Sequence, residues 1–460
     1  MNSTRFLFSN GVVSRFSEAP PVTTFLESLP GAYTTTRTHE NGSTLLFWER
    51  HITRLANSAR ILLNSKPELI FKPTKKYPLF FSPLSITSSM KWESRIRSLV
   101  NNSMNQVLPI ALKERSDGEE LAVTALVCGD FEKLKEMKNV GDDDGFFGVL
   151  DVHLHVGNYV PPVFGIEENG AHLALVGRGR DVAAAKYSAW VRLRMPLDKL
   201  RPPSVTELLL SNDGDRILEG CITNFFVICR RDKSEAEGNF PHDYDSAYSV
   251  EVQTAPITEG VLPGVIRQLV IEVCLSKGIP VREVAPSWEK HGLWEEAFVT
   301  NSLRVIQHVE TIKVPSSWES LGTKCSEGIS WMEKKFEQGP GMITKVIQVK
   351  FDEQVEELLL DFRTYIIKTE ILLEQSWLIR GVLPRLLTNH VACKSTRIIL
   401  PFWIYTGSFL FLPVLCLNCF ISTQSGFTDL VLIPFDFTRE LSPSQAEMQI
   451  FKHSTQAHCQ

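Results

Sequence analysis

Hydrophobic residues follow two different periods before about residue 325 of the chain. In "WERHITRLANSARILL" they recur at helical spacing, at Ile52, Leu55, Ala59 and Leu62, which predicts an amphipathic helix. Nearly continuous apolar runs in "ELAVTALVCGD", "FFGVLDVHLHVGNYVPP" and "AHLALVG" predict buried strands instead. The mixture predicts a chain that folds from both helices and sheets.

Short turn signals separate several of the predicted strands. Residues 40–42, "ENG", and 212–214, "NDG", each lie between two apolar runs. Because Asn and Gly tolerate positive φ angles, both triplets predict β-hairpins. "LPGVIRQLVIEVCLSKGIPVREV" predicts a helix that stops at Gly278 and is followed by a strand, and "DVAAAKYSAWVRLRMPLDKL" predicts mostly helix. Many hairpins without a regular βαβ alternation predict an α+β fold.

Prolines and glycines between residues 161 and 170 predict a linker between two domains. We therefore expect a small N-terminal α+β domain over residues 1–160 and a larger C-terminal domain over residues 171–325. Residues 326–460 differ in character from what precedes them, and we expect an extension of uncertain fold there.

The extension contains an apolar stretch at residues 398–421, and no charged residue occurs from Ile398 to Thr428. The stretch is about long enough to span a bilayer, but Pro401 and Pro413 argue against a clean spanning helix. Three interpretations stay open: an extension outside any folded domain, a buried core hairpin, or a membrane segment. The first two are favoured, so membrane contact of the tail is not expected.

Composition narrows the choice of partners and compartment. Of 460 residues, 43% are hydrophobic and 22% charged, with a net charge of −5, which is typical of a globular protein that does not bind nucleic acid. Nine cysteines give no disulfide framework, and the lone pair Cys416 and Cys419 has no second pair, so no metal site is predicted. The N-terminus lacks a secretory pattern and Glu18 interrupts a transit-like one, which favours the cytoplasm, with a plastid as the alternative.

Three charged side chains could together hold a cofactor that carries a phosphate and a ring nitrogen. Lys186 lies among small and apolar neighbours in "AAAKYSAW", where its amine would lose hydration and become a nucleophile for an aldehyde. Glu219 could keep a proton on a pyridine nitrogen, and the guanidinium of Arg54 suits a phosphate. Each has a simpler alternative, respectively a surface lysine, a charge at a strand end and a solvated helix face.

Backbone and hydroxyl donors extend this set. "LPGVIRQ" starts a predicted helix, so the amides of Val265 and Ile266 can point at an anion, or the segment can simply be a helix cap. The hydroxyls of "TNS", residues 300–302, could add donors or merely form a turn.

Taken in order, these segments resemble a known family, the class IV (fold-type IV) pyridoxal-phosphate enzymes. These include branched-chain and D-amino-acid aminotransferases and aminodeoxychorismate lyases. The matching text is "GAYTTTRTHENG…FWERHITRL", "AAAKYSAW", "DGDRILEGCITNFFVI", "TAPITEGVLPGVIRQ" and "AFVTNSLRVIQHV", over roughly residues 25–315. The pattern is most similar to plant D-amino-acid or branched-chain aminotransferase-like proteins.

The resemblance implies a two-domain α+β fold of the D-amino-acid aminotransferase type, a homodimer, and pyridoxal 5'-phosphate held by the C-terminal domain. It implies that Lys186 is the catalytic Schiff-base lysine, that Glu219 pairs with the pyridine nitrogen and that Arg54 binds the phosphate. The remaining implied contacts are to cofactor from Thr223, Asn224, Val265, Ile266 and Ser302, and to substrate from Tyr33.

Two positions depart from the family pattern. Ile266 replaces the usual threonine of the phosphate helix, and Cys128 stands where D-amino-acid aminotransferases carry a substrate-binding arginine. The function that the resemblance implies is an aminotransferase that moves an amino group between an amino acid and an α-keto acid. The alternatives are a lyase acting on aminodeoxychorismate and a catalytically inactive relative.

Overall fold

The computed structural model describes residues 5–9, 12–15, 19–71, 89–136, 148–231, 248–322 and 328–356, and two short strands near the C-terminus. Contacts divide the chain into one compact unit, Met1–Arg363, and another, Thr364–Gln460. In the described part of the second unit, Cys419–Phe420 pairs antiparallel with Val431–Leu432. The rest of the apolar stretch at 398–421 lies outside the described residues.

The first unit contains two sheets and the helices that pack on them. Its helices are α1 Val22–Ser28, α2 Trp48–Ser65, α3 Ser89–Glu114, α4 Phe131–Glu136, α5 Trp190–Leu193, α6 Met195–Asp198, α7 Val265–Ser276 and α8 over residues 342–356. Its strands are β1 Arg5–Ser9, β2 Val12–Arg15, β3 Ala32–His39, β4 Thr44–Leu45, β5 Glu120–Gly129, β6 Leu150–Tyr159, β7 Ala171–Gly177, β8 Glu207–Ser211, β9 Ile217–Gly220, β10 Asn224–Arg230, β11 Val250–Thr254, β12 Val281–Glu283, β13 Trp294–Asn301, β14 Val305–Pro315 and β15 Trp331–Lys335.

The first sheet has the strand order β2-β1-β6-β5-β3-β4, and all of its neighbouring strands are antiparallel. Helices α2 and α3 bury their apolar stripes against it, with Ile52, Leu55 and Leu62 from α2 fully enclosed. These are the residues whose helical spacing predicts the helix. The indole of Trp92 on α3 also donates to the carbonyl of Ala56 at 2.7 Å, which ties the two helices together.

The second sheet has the order β12-β11-β10-β13-β14-β7-β8-β9, and β9 also pairs with β10. The pairings from β10 through β13, β14, β7, β8 and β9 back to β10 therefore form a closed ring. The ring closes where Asn224 pairs with Glu219, across a tight turn in which Gly220 N–H donates to the Thr223 carbonyl at 2.9 Å. Three parallel pairings, β7 with β8, β7 with β14 and β11 with β12, make this sheet mixed.

The second sheet continues past residue 325, where the sequence pattern places the start of an extension. Strand β15 pairs with β14, and residues of α8, including Ile347 and Phe351, join α7 in one apolar cluster. These residues pack on β10 and β13, whose Phe226 and Phe298 belong to the same cluster.

Both predicted hairpin turns are confirmed. Asn41 and Gly42 have φ angles of 57° and 84°, and Gly214 has a φ of 86°, as the turn chemistry requires. Helix α7 ends before Gly278, whose φ is 65°. The α+β fold class predicted from the hairpins is also confirmed. Within the described residues, no helix is both long and apolar enough to cross a membrane.

The prediction of a mostly helical segment from residue 181 to 200 is wrong. Only the short helices α5 and α6 form there, and residues 181–189 form turns and an isolated antiparallel bridge from Tyr187 to Ala32. The reason is a pairing with the first sheet: Tyr33 N–H donates to the Lys186 carbonyl at 3.0 Å, and Ser188 N–H donates to the Gly31 carbonyl at 2.9 Å. These backbone bonds to β3 hold Lys186 at the junction of the two sheets.

Candidate active site

A cavity of about 460 Å³ lies where the two sheets meet. Its lining includes every residue that the sequence singles out as a candidate: Tyr33, Arg54, Lys186, Glu219, Thr223, Asn224, Val265, Ile266 and Ser302. These residues come from β3, α2, the turns after β7, the β9–β10 hairpin, the start of α7 and the β13–β14 turn. The fold therefore brings distant parts of the chain together, while the role of each residue stays a prediction.

Lys186 occupies the wall of the cavity that faces the first sheet. Its backbone N–H donates to the Ser58 hydroxyl at 3.1 Å, and its Nζ lies 4.7 Å from the centre of the Tyr33 ring. Burial lowers the pKa of the Lys186 amine, and the positive charges of Arg54 and Arg180 lower it further, against the opposing effect of Tyr33. At a given pH, a larger fraction of the Lys186 amine is therefore neutral and nucleophilic.

Tyr33 responds to the same charges in the opposite sense. Burial acts to raise the pKa of its hydroxyl, but the positive charges of Lys186, Arg194 and Arg180 outweigh burial and lower it. The phenol and the amine therefore influence each other, and each makes the charged form of the other less costly.

Glu219 is almost completely buried, at 2% exposure, and the protein itself satisfies its charge. Its Oε1 accepts hydrogen bonds from Arg180 Nε at 3.0 Å and Nη2 at 2.8 Å. Its Oε2 accepts from the Leu262 N–H at 2.9 Å and from Asn224 Nδ2 at 3.4 Å. The simpler interpretation, a solvated charge at a strand end, is wrong for this residue.

Glu219 is linked through Leu262 to the start of α7. Asn224 Nδ2 donates to the Leu262 carbonyl at 2.9 Å, and a Cβ at Gly264, the residue before α7, would collide with the Asn224 amide oxygen. Gly264 caps the helix with extended backbone and without a side-chain hydrogen bond. The amides of Val265 and Ile266 consequently begin the helix at the cavity wall, where a helix N-terminus favours an anion.

Arg54 is buried at 8% exposure, yet none of the described residues forms an ion pair with it. Its Nη2 donates to the Thr34 hydroxyl at 2.7 Å and contacts His51 Nδ1 at 3.3 Å, while its Nε has no partner. Burial lowers the pKa of Arg54 to about 10, and burial together with the Arg54 charge lowers the pKa of His51 well below its usual value. The neighbouring imidazole therefore stays neutral and adds no charge.

Two hydroxyls share this lack of partners. Thr223 Oγ1 and Thr300 Oγ1 are buried in the cavity lining without a hydrogen bond to any residue in the described part of the chain. Buried polar groups are normally paired, so unpaired donors around a cavity indicate a polar ligand. A phosphate, with several acceptor oxygens and a negative charge, fits the unpaired Arg54 Nε and these hydroxyls.

Comparison with known families agrees with this geometry. The family model described as amino-transferase class IV matches residues 161–312, which include Lys186, Glu219 and the start of α7. Residues 161–312 are therefore similar to class IV aminotransferases. The resemblance predicted from the sequence motifs is thereby confirmed. None of the curated proteins with which the chain was compared matches it.

Solved structures of aminotransferases are also similar to the chain. The branched-chain aminotransferase of Escherichia coli is 18% identical with a TM-score of 0.46, over 76% of this chain and 94% of that one. An aminotransferase from Brucella abortus, bound to PLP, is 16% identical with a TM-score of 0.45, over 76% and 99%. At such identities and scores, the likeness says nothing about the substrate of the class IV segment.

Two cavity residues of interest were not singled out by the sequence patterns: Arg180 and Arg194. Arg180 lies in "GRGRDV", which fails as a dinucleotide fingerprint and so carries no motif signal of its own. Its partner Glu219 is distant in the chain, and only the β7–β8–β9 arrangement brings the two together.

Proposed function

We propose that the protein is a pyridoxal-phosphate-dependent aminotransferase that moves an amino group between an amino acid and an α-keto acid. The observation that carries the proposal is the meeting of Lys186, Glu219 and Arg54 on one cavity, with the arginine lacking any acidic partner among the described residues. When bound, the cofactor supplies an aldehyde that reacts with amines and an electron-withdrawing ring.

Lys186 would supply the amine that holds this aldehyde in the resting enzyme. Its lowered pKa favours the neutral amine that such a bond requires. Once a substrate amino acid has displaced the lysine, the freed Lys186 amine could take the proton from the substrate Cα. The same amine could then deliver that proton to the aldehyde carbon of the cofactor.

Glu219 would face the ring nitrogen as a hydrogen-bond acceptor. A carboxylate offers about four acceptor positions, and the protein fills four here. The bond from Asn224 is the longest at 3.4 Å, so it is the one that a ring N–H would replace or share. The two hydrogen bonds from Arg180 would hold the Glu219 carboxylate in position beside the nitrogen.

Arg54, the amides of Val265 and Ile266, and the hydroxyls of Thr223 and Ser302 would hold the phosphate. The loss of the usual threonine at Ile266 removes one hydroxyl, and the unpaired Thr223 and Thr300 hydroxyls supply others in the same cavity. Helix N-terminal amides and a forked guanidinium are both suited to a phosphate.

The substrate would enter beside Tyr33, where Arg194 also lines the cavity. The positive charge of Arg194, which lowers the pKa of Tyr33, suits the carboxylate of an amino acid or a keto acid. The homodimer implied by the resemblance stays a prediction.

The test is borohydride reduction of the full-length chain incubated with pyridoxal phosphate, followed by peptide mass analysis. We expect the phosphopyridoxyl mass on the peptide with Lys186 in the wild type and in Lys199→Ala, an exposed lysine nearby, but not in Lys186→Ala. A label elsewhere, or no label in the wild type, would contradict the proposal and favour an inactive relative.

Addition of single amino acids then separates a transaminase from a lyase. A transaminase converts bound cofactor to its amino form and releases one equivalent of keto acid without an acceptor. A lyase releases pyruvate from aminodeoxychorismate and leaves the cofactor in its aldehyde form.

A further inference from the structure

A second group of chemically reactive side chains lies on the first sheet, where Cys128 belongs to the same apolar cluster as Tyr33. Cys128 on β5, and Asp151 and His153 on β6, each offer one ligand atom, and these atoms all lie within 4.8 Å of one another. The described lining of the cavity includes none of the three. We propose that these residues bind a zinc ion.

The strand register places the three side chains on one face of the sheet. Cys128 lies directly opposite Asp151, and His153 is two residues further along the same strand. Because side chains alternate in a strand, residues 151 and 153 point to the same side as their partners 128 and 126. Two neighbouring strands therefore build the cluster, and no loop has to reorganise.

The spacing of the sulfur and nitrogen fits a tetrahedral ion. Cys128 Sγ lies 3.4 Å from His153 Nε2. Zinc bonds of about 2.3 Å to sulfur and about 2.0 Å to nitrogen at a tetrahedral angle would place the two atoms about 3.6 Å apart. A thiolate, an imidazole and a carboxylate together match the ligand preference of zinc rather than that of magnesium or calcium.

The surroundings orient the imidazole as a ligand. His153 Nδ1 lies 3.0 Å from the hydroxyl of Ser9, its direct neighbour on β1. A hydrogen bond to this side of the ring leaves Nε2 directed at Cys128, which is the usual arrangement of a metal-bound histidine. Both Cys128 and His153 are buried, so the bound ion would be largely enclosed.

Lys133 would compete with the ion for Asp151. Its Nζ donates to Asp151 Oδ1 at 2.5 Å. The lysine side chain is 44% exposed and the Asp151 side chain 13%, so the ammonium can move into solvent when a dication arrives. The ion would then have three protein ligands and one position for water or a further ligand.

The experiment uses the purified full-length chain, stripped of metal with a chelator and titrated with Zn²⁺ and separately with Co²⁺. We expect one zinc per chain and, with cobalt, the absorption bands of a tetrahedral thiolate complex. Cys128→Ser and Asp151→Asn should lose the bands, whereas Cys229→Ser, a buried cysteine outside the cluster, should keep them. Lys133→Ala should bind zinc severalfold more tightly, and Ser9→Ala about 10–100-fold more weakly.

Absence of cobalt bands in the wild type, or bands that survive in Cys128→Ser, would overturn the proposal. Asp151→Asn guards against misfolding, because it keeps the size of a partly exposed side chain and leaves the buried pair intact. Tighter binding in Lys133→Ala cannot arise from misfolding, and unchanged binding in that variant would contradict the competition between lysine and ion. None of these readouts depends on the pyridoxal chemistry.

Discussion

Glu219 and Arg54 are both buried charges on the wall of one cavity, but the protein pairs only one of them. Glu219 receives four hydrogen bonds, two of them from Arg180. Among the described residues, the hydrogen-bond partners of Arg54 are the neutral side chains of Thr34 and His51, and its Nε is unpaired. A buried charge without a partner is costly, so the Arg54 side depends on a ligand whereas the Glu219 side is complete without one.

The fold itself needs the Arg180–Glu219 pair, whereas Arg54 is needed to bind the ligand. The Arg180–Glu219 pair should contribute to stability at all times, because removal of either partner leaves an uncompensated charge. Arg54 should contribute mainly when an anion is bound. Substitutions in the Arg180–Glu219 pair should therefore change the stability of the protein, whereas substitutions of Arg54 should change its affinity for the ligand.

The largest effect is expected from Arg180→Met. It leaves Glu219 buried and without its main partner, and the loss of one member of a buried pair costs about 3–5 kcal/mol in the free energy of unfolding. Urea unfolding of the full-length chain measures it. Arg178→Met, in the same "GRGR" but exposed, is the matched control. Equal stability of the two variants would contradict the stabilising role of the Arg180–Glu219 pair.

Arg54→Met should behave in the opposite way. Without ligand we expect its unfolding free energy within about 1 kcal/mol of the wild type, because the substitution removes an unpaired charge. Its affinity for pyridoxal phosphate should fall about 10–100-fold, since hydrogen bonds to charged groups contribute about 1.5–3 kcal/mol. Titration calorimetry measures the affinity, with Arg50→Met on the exposed face of α2 as the control. If Arg54→Met bound pyridoxal phosphate with the affinity of the wild type, the proposed role of Arg54 in phosphate binding would be wrong.

Tyr33→Phe should change the pH dependence of Lys186 without a large change in stability. Burial lowers the pKa of the lysine amine and Tyr33 opposes that effect, so removal of the hydroxyl lowers the pKa further. The amine should then react with pyridoxal phosphate down to a lower pH. The rate of borohydride-trapped labelling against pH measures the shift. A shift toward higher pH would show that the tyrosine acts in another way.

The smallest effect is expected at Asp213, a carboxylate that is well bonded but exposed. Burial acts to raise the pKa of Asp213, but the N–H groups of Arg216 and Asp215 outweigh burial and lower the pKa from 3.8 to about 2. Because the folded-state pKa is depressed, the stabilisation is present above pH 3.8 and disappears as the pH falls toward 2. Asp213→Asn should cost less than about 1 kcal/mol at neutral pH. Thermal unfolding at neutral pH and at pH 2 measures it, and a cost that persists in acid would contradict the assignment.

Local signals account for what could be predicted from the sequence. Helix α2, helix α7 with its stop at Gly278 and the two hairpin turns depend on residues that are near in the chain, so periodicity and turn chemistry suffice. The candidate site residues could be gathered only through the resemblance to a family. No spacing of isolated residues places Arg54 and Ser302 on the same cavity.

Long-range pairing accounts for what could not be predicted. The helical pattern around Lys186 is overruled by two backbone hydrogen bonds to β3, which lies far away in the sequence. Cys128 and His153 meet only through the β5–β6 register, and their chain separation matches no metal motif. The packing of α8 on the second sheet likewise depends on contacts that no local pattern specifies.

The closed ring of strands has a consequence for how the protein opens. Glu219 and Asn224 form the pair at which β9 meets β10, and both line the cavity. Separation of these two residues would open the ring of strands and would at the same time remove both side chains from the cavity lining. The amides around the hairpin should therefore exchange their hydrogens with solvent as slowly as the core strands do. Loss of the site through local unfolding would then require an opening of the whole barrel-like sheet rather than the release of a single loop.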